Sequence, residues 1–164
     1  TCALPISHIT VTTQPGTGVN GAALSRQPVV KAYDANENLD TNYVGTITAT
    51  VGATYPDGSA VPSHNTAVAD GGVATFDGLT LTGKVGDYTL YFNGLQTDQD
   101  PTDNVDPAAF TQVESTPSFK LTPAAATHIT VTTQPGTGVN GAALSRQPVV
   151  KAYDANEKIG RAHV

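Results

Sequence analysis

The segment Asp98-Gln99-Asp100-Pro101-Thr102-Asp103-Asn104-Val105-Asp106 places four carboxylates within nine residues. Calcium takes roughly six to eight oxygen ligands, and Asp side chains close together on a loop supply several of them. Asp98, Asp100, Asp103 and Asp106 are therefore the candidate metal ligands, and calcium is the ion their chemistry suits. The spacing departs from an EF-hand loop, which needs a Gly at its sixth place and a Glu at its twelfth. The competing reading is a solvated acidic loop. Asp34, Asn36, Asn38 and Asp40 form a second oxygen cluster at alternate positions. It also lacks the Gly and the closing Glu, and it competes with a turn held by Asn and Asp side chains.

Other chemistry is weaker. Gly16-Thr17-Gly18-Val19-Asn20-Gly21 matches the glycine pattern of dinucleotide sites. Such a site needs a helix whose N-terminus faces the pyrophosphate. Only Ala22 to Gln27 separates the motif from Pro28, under two helical turns, so a glycine-rich strand connection is expected and no cofactor. His8, its copy His128, and His64 have no second His or Cys at ligand spacing. Ser25 and His64 suggest a hydrolase only if a nucleophile-elbow Gly-x-Ser-x-Gly is present, and none is. The chain is not expected to be an enzyme.

The elements around these residues read as strands. Ile9 and Val11 alternate with Thr10 and Thr12 up to the Gln14-Pro15-Gly16 turn. Val29 to Tyr33 gives a second strand, and Thr46 to Val51 a third with Ile47, Ala49 and Val51 on one face. Asp70-Gly71-Gly72, between Thr66–Ala69 and Val73–Phe76, is a hairpin signal. Leu79 and Leu81 follow, then Tyr88, Leu90 and Phe92 on one side of Asp87–Phe92, and Phe119 and Leu121 in a last strand. Seven or eight short strands separated by turns predict an all-β, immunoglobulin-like β-sandwich. Ile9, Val11, Ile47, Val51, Phe76, Leu79, Leu81, Tyr88, Leu90, Phe92, Phe119 and Leu121 are its expected core. A Tyr near the start of the penultimate strand often bonds back to backbone as a corner, and Tyr88 stands there.

The chain repeats itself. His8 to Glu37 recurs without change as His128 to Glu157, an offset of 120 residues. A tandem array with that period follows. The two ends carry another signal. Thr1 to Ile6 can be encoded by ACGTGTGCTCTTCCGATC. Its reverse complement, read as G-ATC-GGA-AGA-GCA-CAC-GT, encodes Ile159 to His163 and fits the last base of a Lys158 codon and the first two of a Val164 codon. The string resembles a short-read sequencing adapter. Residues 1–6 and 158–164 are accordingly expected to be scars. That leaves 7–126 as one immunoglobulin-like repeat and 127–157 as the truncated start of a second. Residues 8–157 contain no Cys, so no disulfide is available there.

Eight Lys and Arg face fourteen Asp and Glu, for a formal charge of -6. An acidic surface does not neutralise phosphates, which argues against nucleic acid. No apolar run reaches the roughly 18 residues of a membrane span. Long arrays of this composition would be polyanionic, soluble and self-repelling.

Three stretches carry a resemblance. The turn Asp34-Ala35-Asn36-Glu37-Asn38, the segment Ala69-Asp70-Gly71-Gly72-Val73-Ala74-Thr75-Phe76 and the strand Gly86-Asp87-Tyr88-Thr89-Leu90 together resemble bacterial immunoglobulin-like repeats of the invasin/intimin kind. Glu37 stands where that family usually has Gly, so Asn36 or Asn38 is expected to take any left-handed turn position. Residues 95–114 are an insertion outside the family pattern. The resemblance implies a bacterial cell-surface or secreted, extracellular protein whose repeats form a non-catalytic stalk, spacer or adhesive array. The implied partners are neighbouring identical repeats and a host, matrix or polysaccharide ligand. The rival reading is a carbohydrate- or protein-binding accessory module of a secreted enzyme, with Tyr43, Tyr55 and Tyr91 as an exposed platform. Two strands alone are marginal in water. The first copy, 8–37, is therefore expected to occupy the core and 128–157 to project, so Val29→Asp unfolds the chain and Val149→Asp hardly affects it.

Overall fold

The computed structural model describes residues 6–52, 60–94, 112–155 and 157. The chain divides into two units, Thr1–Thr122 and Pro123–Val164. The first holds β1 (Ile6–Thr13), β2 (Gly18–Val19), β3 (Val29–Asp34), β4 (Thr46–Val51), β5 (Val61–Ser63), β6 (Thr66–Val68), β7 (Val73–Thr75), β8 (Thr80–Thr82), β9 (Gly86–Tyr88), β10 (Leu90–Gly94), β11 (Val113–Glu114) and β12 (Phe119–Thr122). The second holds β13 (Ala126–Thr133) and β14 (Val149–Asp154). Among the described residues there is no helix, hence none that could cross a membrane. The fold is the expected all-β, immunoglobulin-like sandwich.

One sheet has the order β1-β3-β7 and the other β11-β10-β4-β6, with β2-β12-β9 and β5-β8 at the margins. Alternation aims one face of each strand inward. Ile9, Val11, Val30, Ala32 and Ala74 from the first sheet join Ile47, Ala49, Leu90 and Phe92 from the second in one buried cluster. The rings of Phe76 and Phe92 meet edge to face at 5.5 Å. Every residue of the expected core is buried except Val51, which is half-buried and packs against the cluster.

The strand segments outnumber the seven or eight expected because several strands are interrupted. Thr89 alone separates β9 from β10. The opposing break lies between β11 and β12. There Ser115 N donates to Leu90 O at 2.8 Å and Leu90 N donates to Ser115 Oγ at 2.9 Å, so a side chain replaces one rung of the ladder. Asp77-Gly78, with Gly78 at φ 69°, bulges between β7 and β8. The Asp70–Val73 turn closes as the sequence expects: Asp70 N donates to Val73 O at 3.0 Å and Val73 N to Asp70 O at 3.1 Å. Gly71 and Gly72 both take positive φ, at 55° and 79°, as a tight primed turn requires. Yet β6 pairs with β4 and β7 with β3. The two strands therefore part beyond this one closed pair, and the turn passes the chain from one sheet to the other.

The position of the chain ends follows from the register. β1 pairs antiparallel with β3, and the ladder continues past it: Gly16 N donates to Arg26 O, and Ser25 N to Thr17 O. Residues 8–17 thus run extended, covering about 30 Å at about 3.3 Å per residue. Immediately beyond, β2 pairs parallel with β12, Gly18 opposite Leu121 and Val19 opposite Thr122. Asn20 N donates to Thr122 O at 2.8 Å. The repeat therefore begins at one pole, at His8, and ends at the other, at Thr122.

The second unit repeats the first hairpin without its sandwich. β13 pairs with β14 in the register of β1 with β3, His128 opposite Tyr153 as His8 is opposite Tyr33. In both copies the strand extends upstream of the identical residues, to Ile6 and to Ala126. Backbone pairing does not depend on which side chain is carried.

Candidate functional site

The turn after β3 is built by one carboxylate. Asp34 Oδ1 accepts from Asn36 N at 2.8 Å and Asn38 N at 2.9 Å, and Oδ2 accepts from Asn38 Nδ2 at 3.1 Å. Hydrogen bonds to the charged form favour it. The Asn38 backbone N–H, then its side-chain amide, hold the Asp34 carboxyl below its ordinary range, with a smaller electrostatic contribution from His8. Glu37, at φ 64°, takes the left-handed position, not Asn36 or Asn38. Both Asn N–H groups are fixed on Asp34, and Glu37 N donates to Asp34 O at 3.2 Å. The turn must reverse at the residue between them, at a cost of about 1–2 kcal/mol for a non-glycine residue.

That reversal brings Glu37 back over the start of β1. Its Oε2 lies 3.5 Å from His8 Nε2, and the His8 ring stacks on Tyr33 at 5.6 Å and 15°. The second copy repeats the group: His128–Glu157 at 3.5 Å and His128–Tyr153 at 5.7 Å. A histidine flanked by a carboxylate forms a pH-dependent ion pair. Glu37 is exposed, so the pair contributes about 0–1 kcal/mol. Sequence reasoning had His8 alone at a strand start. Its partners are 25 and 29 residues away and appear only once the antiparallel register is known.

Asp40 belongs to a different turn. Its Oδ1 accepts from Asn42 N at 2.9 Å, and its own N–H donates to Ala32 O at 3.0 Å. Alternate spacing in Asp34–Asp40 thus serves two successive Asx turns, each carboxylate engaged by its own backbone. Among the described residues, no three His, Cys, Asp or Glu side chains gather in a way that could hold a metal. Asp98, Asp100, Asp103 and Asp106 lie outside the described residues, as does Tyr55.

The glycine motif is a strand connection. Gly16 sits so close to Ser25 Oγ and Arg26 N that a Cβ would collide with both. Gly21, at φ 78°, turns the chain and donates its N–H to Leu81 O. Asn20 is buried, its Oδ1 accepting from Gly83 N at 2.9 Å. Leu24, passed over in the sequence as connection, is buried as well, its N–H donating to Leu79 O.

The aromatic platform is not assembled. Tyr43 is 1% exposed, and burial pushes its hydroxyl pKa up to about 12. Its ring occupies the space a side chain at Gly45 would need. Tyr91 is half-buried, against Gly52. Tyr88 is fully buried and its hydroxyl donates to Lys84 O, the expected corner. Ser25 Oγ is engaged with Thr17 Oγ1, and His64 with Ser63 Oγ, each within its own loop. No known family model matches the chain, and no curated protein matches it.

Proposed function

We propose that the chain is a non-catalytic immunoglobulin-like repeat of the invasin/intimin kind, serving as a stalk or spacer in a bacterial surface or secreted protein. The observation that carries this reading is the parallel pairing of β2 with β12, which leaves the repeat's two ends about 30 Å apart at opposite poles. Modules of that shape joined by short linkers extend an array; modules with adjacent ends fold back. The exact 120-residue offset supplies the array, and the acidic surface keeps its members apart. The burial of Tyr43 weighs against the accessory binding module, which needed that ring at the surface.

Small-angle scattering on chains with one, two and three complete periods tests the proposal. The maximum dimension should rise by a constant step of roughly 35–40 Å per repeat, the length of a strand pair of this size plus its linker. A dimension that grows with the cube root of mass would sink the spacer reading.

A further inference from the structure

The two main sheets of the first unit end in β1 and β7 and in β11 and β6. The first three of these edges are blunted. β1 breaks register with β3 at two places, β11 carries the exposed carboxylate of Glu114, and Val73 of β7 exchanges both its outward backbone bonds with Asp70. Bulges, charges and local closures of this kind keep a strand edge from pairing with another chain. β6 has none of them. Asn65-Thr66-Ala67-Val68-Ala69 contains no charge and no proline, and its register with β4 is unbroken. Ala69 N donates to Gly45 O and Ala49 N to Asn65 O, so Asn65, Ala67 and Ala69 are the residues that bond to β4. In an antiparallel ladder the residues between them point their N–H and C=O groups the other way. Thr66 and Val68 therefore aim their backbone groups off the edge, where among the described residues no strand receives them. A longer Asp70–Val73 hairpin would have paired Val68 with Thr75, but β6 lies on β4 and β7 on β3. Asn65 fixes the start of the edge, its Nδ2 donating to Ala49 O at 2.9 Å.

We propose that β6 is a self-pairing edge, which joins the β6 of a second copy of this chain antiparallel and doubles the four-stranded sheet. The strand is its own complement. About a twofold axis at Ala67, Thr66 faces Val68 of the second copy and Val68 faces Thr66 of the second copy, and each pair exchanges its outward N–H and C=O groups. The side chains of Thr66 and Val68, the latter 67% exposed, then cover one another across the joint. Charge permits the contact. The chain carries -6, so two copies repel in general. On the outer side of β4 and β6, however, Val44, Thr46, Thr48, Thr66 and Val68 are all uncharged. The ionisable residues flanking β6 are of opposite kind, His64 before it and Asp70 after it. Antiparallel pairing brings each His64 to the end where the other copy has Asp70. Three residues a side make a small interface, weak for a single pair. Along an array the pairing is multiplied by tethering. That amplification rests on the spacer reading; the pairing itself does not.

The test uses the full chain in a Cys2→Ser background. Sedimentation velocity up to millimolar concentration should show a reversible equilibrium between monomer and dimer. Val68→Pro takes one outward donor from each pair and no bond from β4, and should weaken association by about tenfold or more. Val68→Lys sets two like charges on the joint and should weaken it as much. Because Val68 is exposed, Val68→Lys should unfold in urea where the parent does, so its loss of association is not a loss of fold. Cross-linking reads the register. Thr66→Cys chains mixed with Val68→Cys chains place their thiols directly opposite, and should form a disulfide-linked dimer many times faster than either variant alone. A parent chain that stays monomeric up to millimolar concentration would overturn the proposal. So would association that Val68→Lys leaves unchanged, since the contact would then lie on another surface, or equal cross-linking in the mixed and single samples. Neither result touches the scattering step per repeat, so the spacer reading stands or falls separately.

Discussion

Residues 8–37 and 128–157 are the same thirty amino acids in two surroundings, and nearly everything local about them is shared. Both form a bulged antiparallel pair in one register, both stack a histidine on a tyrosine, and both put a glutamate at positive φ. Gly21 and Gly141 turn at φ 78° and 80°, although nothing lies near the second. What differs is burial. Ile9 is 2% exposed and Ile129 is 71%. Backbone geometry in this hairpin is therefore written in its own sequence, through caps, glycines and side-chain-to-backbone bonds. Its stability is conferred by residues 38–122. The sequences part after the last turn. Where the first copy has Asn38, the second has Lys158. Asp34 accepts from Asn36 and Asn38, and Asp154 Oδ2 accepts from Ala124 N at 3.1 Å.

Paired substitutions break this comparison most sharply. Ile9→Ala should cost about 2–5 kcal/mol in a urea melt, the range for a large-to-small change in a packed core. Ile129→Ala should stay within about 0.5 kcal/mol of the parent, as exposed sites do. Equal losses would mean that the second hairpin is packed after all. Smaller effects belong to the polar groups of the first unit, which have no counterpart in the second. Tyr88→Phe removes the bond to Lys84 O and should cost about 0.5–1.5 kcal/mol. Thr89→Val acts in the other direction. Thr89 Oγ1 is buried without a hydrogen-bond partner, so the isosteric methyl should raise stability by about 1 kcal/mol. A Thr89→Val variant that melts earlier would show that the hydroxyl is satisfied.

Acid acts on the turn after β3. The folded pKa of Asp34 lies below the ordinary value of 3.8, so its carboxylate stabilises the fold above that pH. The contribution is lost as pH falls from about 3.8 through the lowered folded value. Asn38→Ala removes only the side-chain amide and keeps the backbone N–H, so it should move the Asp34 carboxyl part of the way back toward 3.8 in a carboxyl-carbon NMR titration. An unchanged midpoint would remove the Asn38 side-chain amide as a cause. The smallest expected effect is that of calcium. Melting curves in millimolar calcium and in chelator should coincide. A rise, about 2.7 kcal/mol at 100-fold excess over the dissociation constant, would assign a site to Asp98–Asp106.

The core was readable because period-two alternation is strong in Ile9–Val11, Ile47–Val51 and Tyr88–Phe92. Once one face is buried, a register slip would expose them all. What escaped was decided between distant segments. Tyr43 reads as a loop aromatic, and only the missing side chain at Gly45 makes room for its ring. Gly72 lies so near the Asp40 carbonyl that a Cβ there would collide. Asp70-Gly71-Gly72 correctly signals a tight turn. Which sheet each arm joins depends on β3 and β4, far away in sequence. The His8–Tyr33–Glu37 group is a product of register, and a reading of residue types has no access to it. Glu37 was misjudged because propensity favours Asn at positive φ, whereas the Asp34 carboxylate had already claimed both neighbouring Asn N–H groups.

Native-state amide hydrogen exchange followed by NMR puts the central claim to its most direct trial. Ala32 and Ala152 have the same neighbours on both sides, so their intrinsic exchange rates are equal and any difference is due to surroundings alone. Mass spectrometry would confuse the two identical peptides; separate NMR resonances do not. The account predicts that Ala32 exchanges only through global unfolding of the sandwich. It predicts that Ala152, whose N–H faces the edge of β14 at the place where Ala32 N–H meets Gly72 O, exchanges orders of magnitude faster and without any unfolding. Equal protection at the two amides would contradict it.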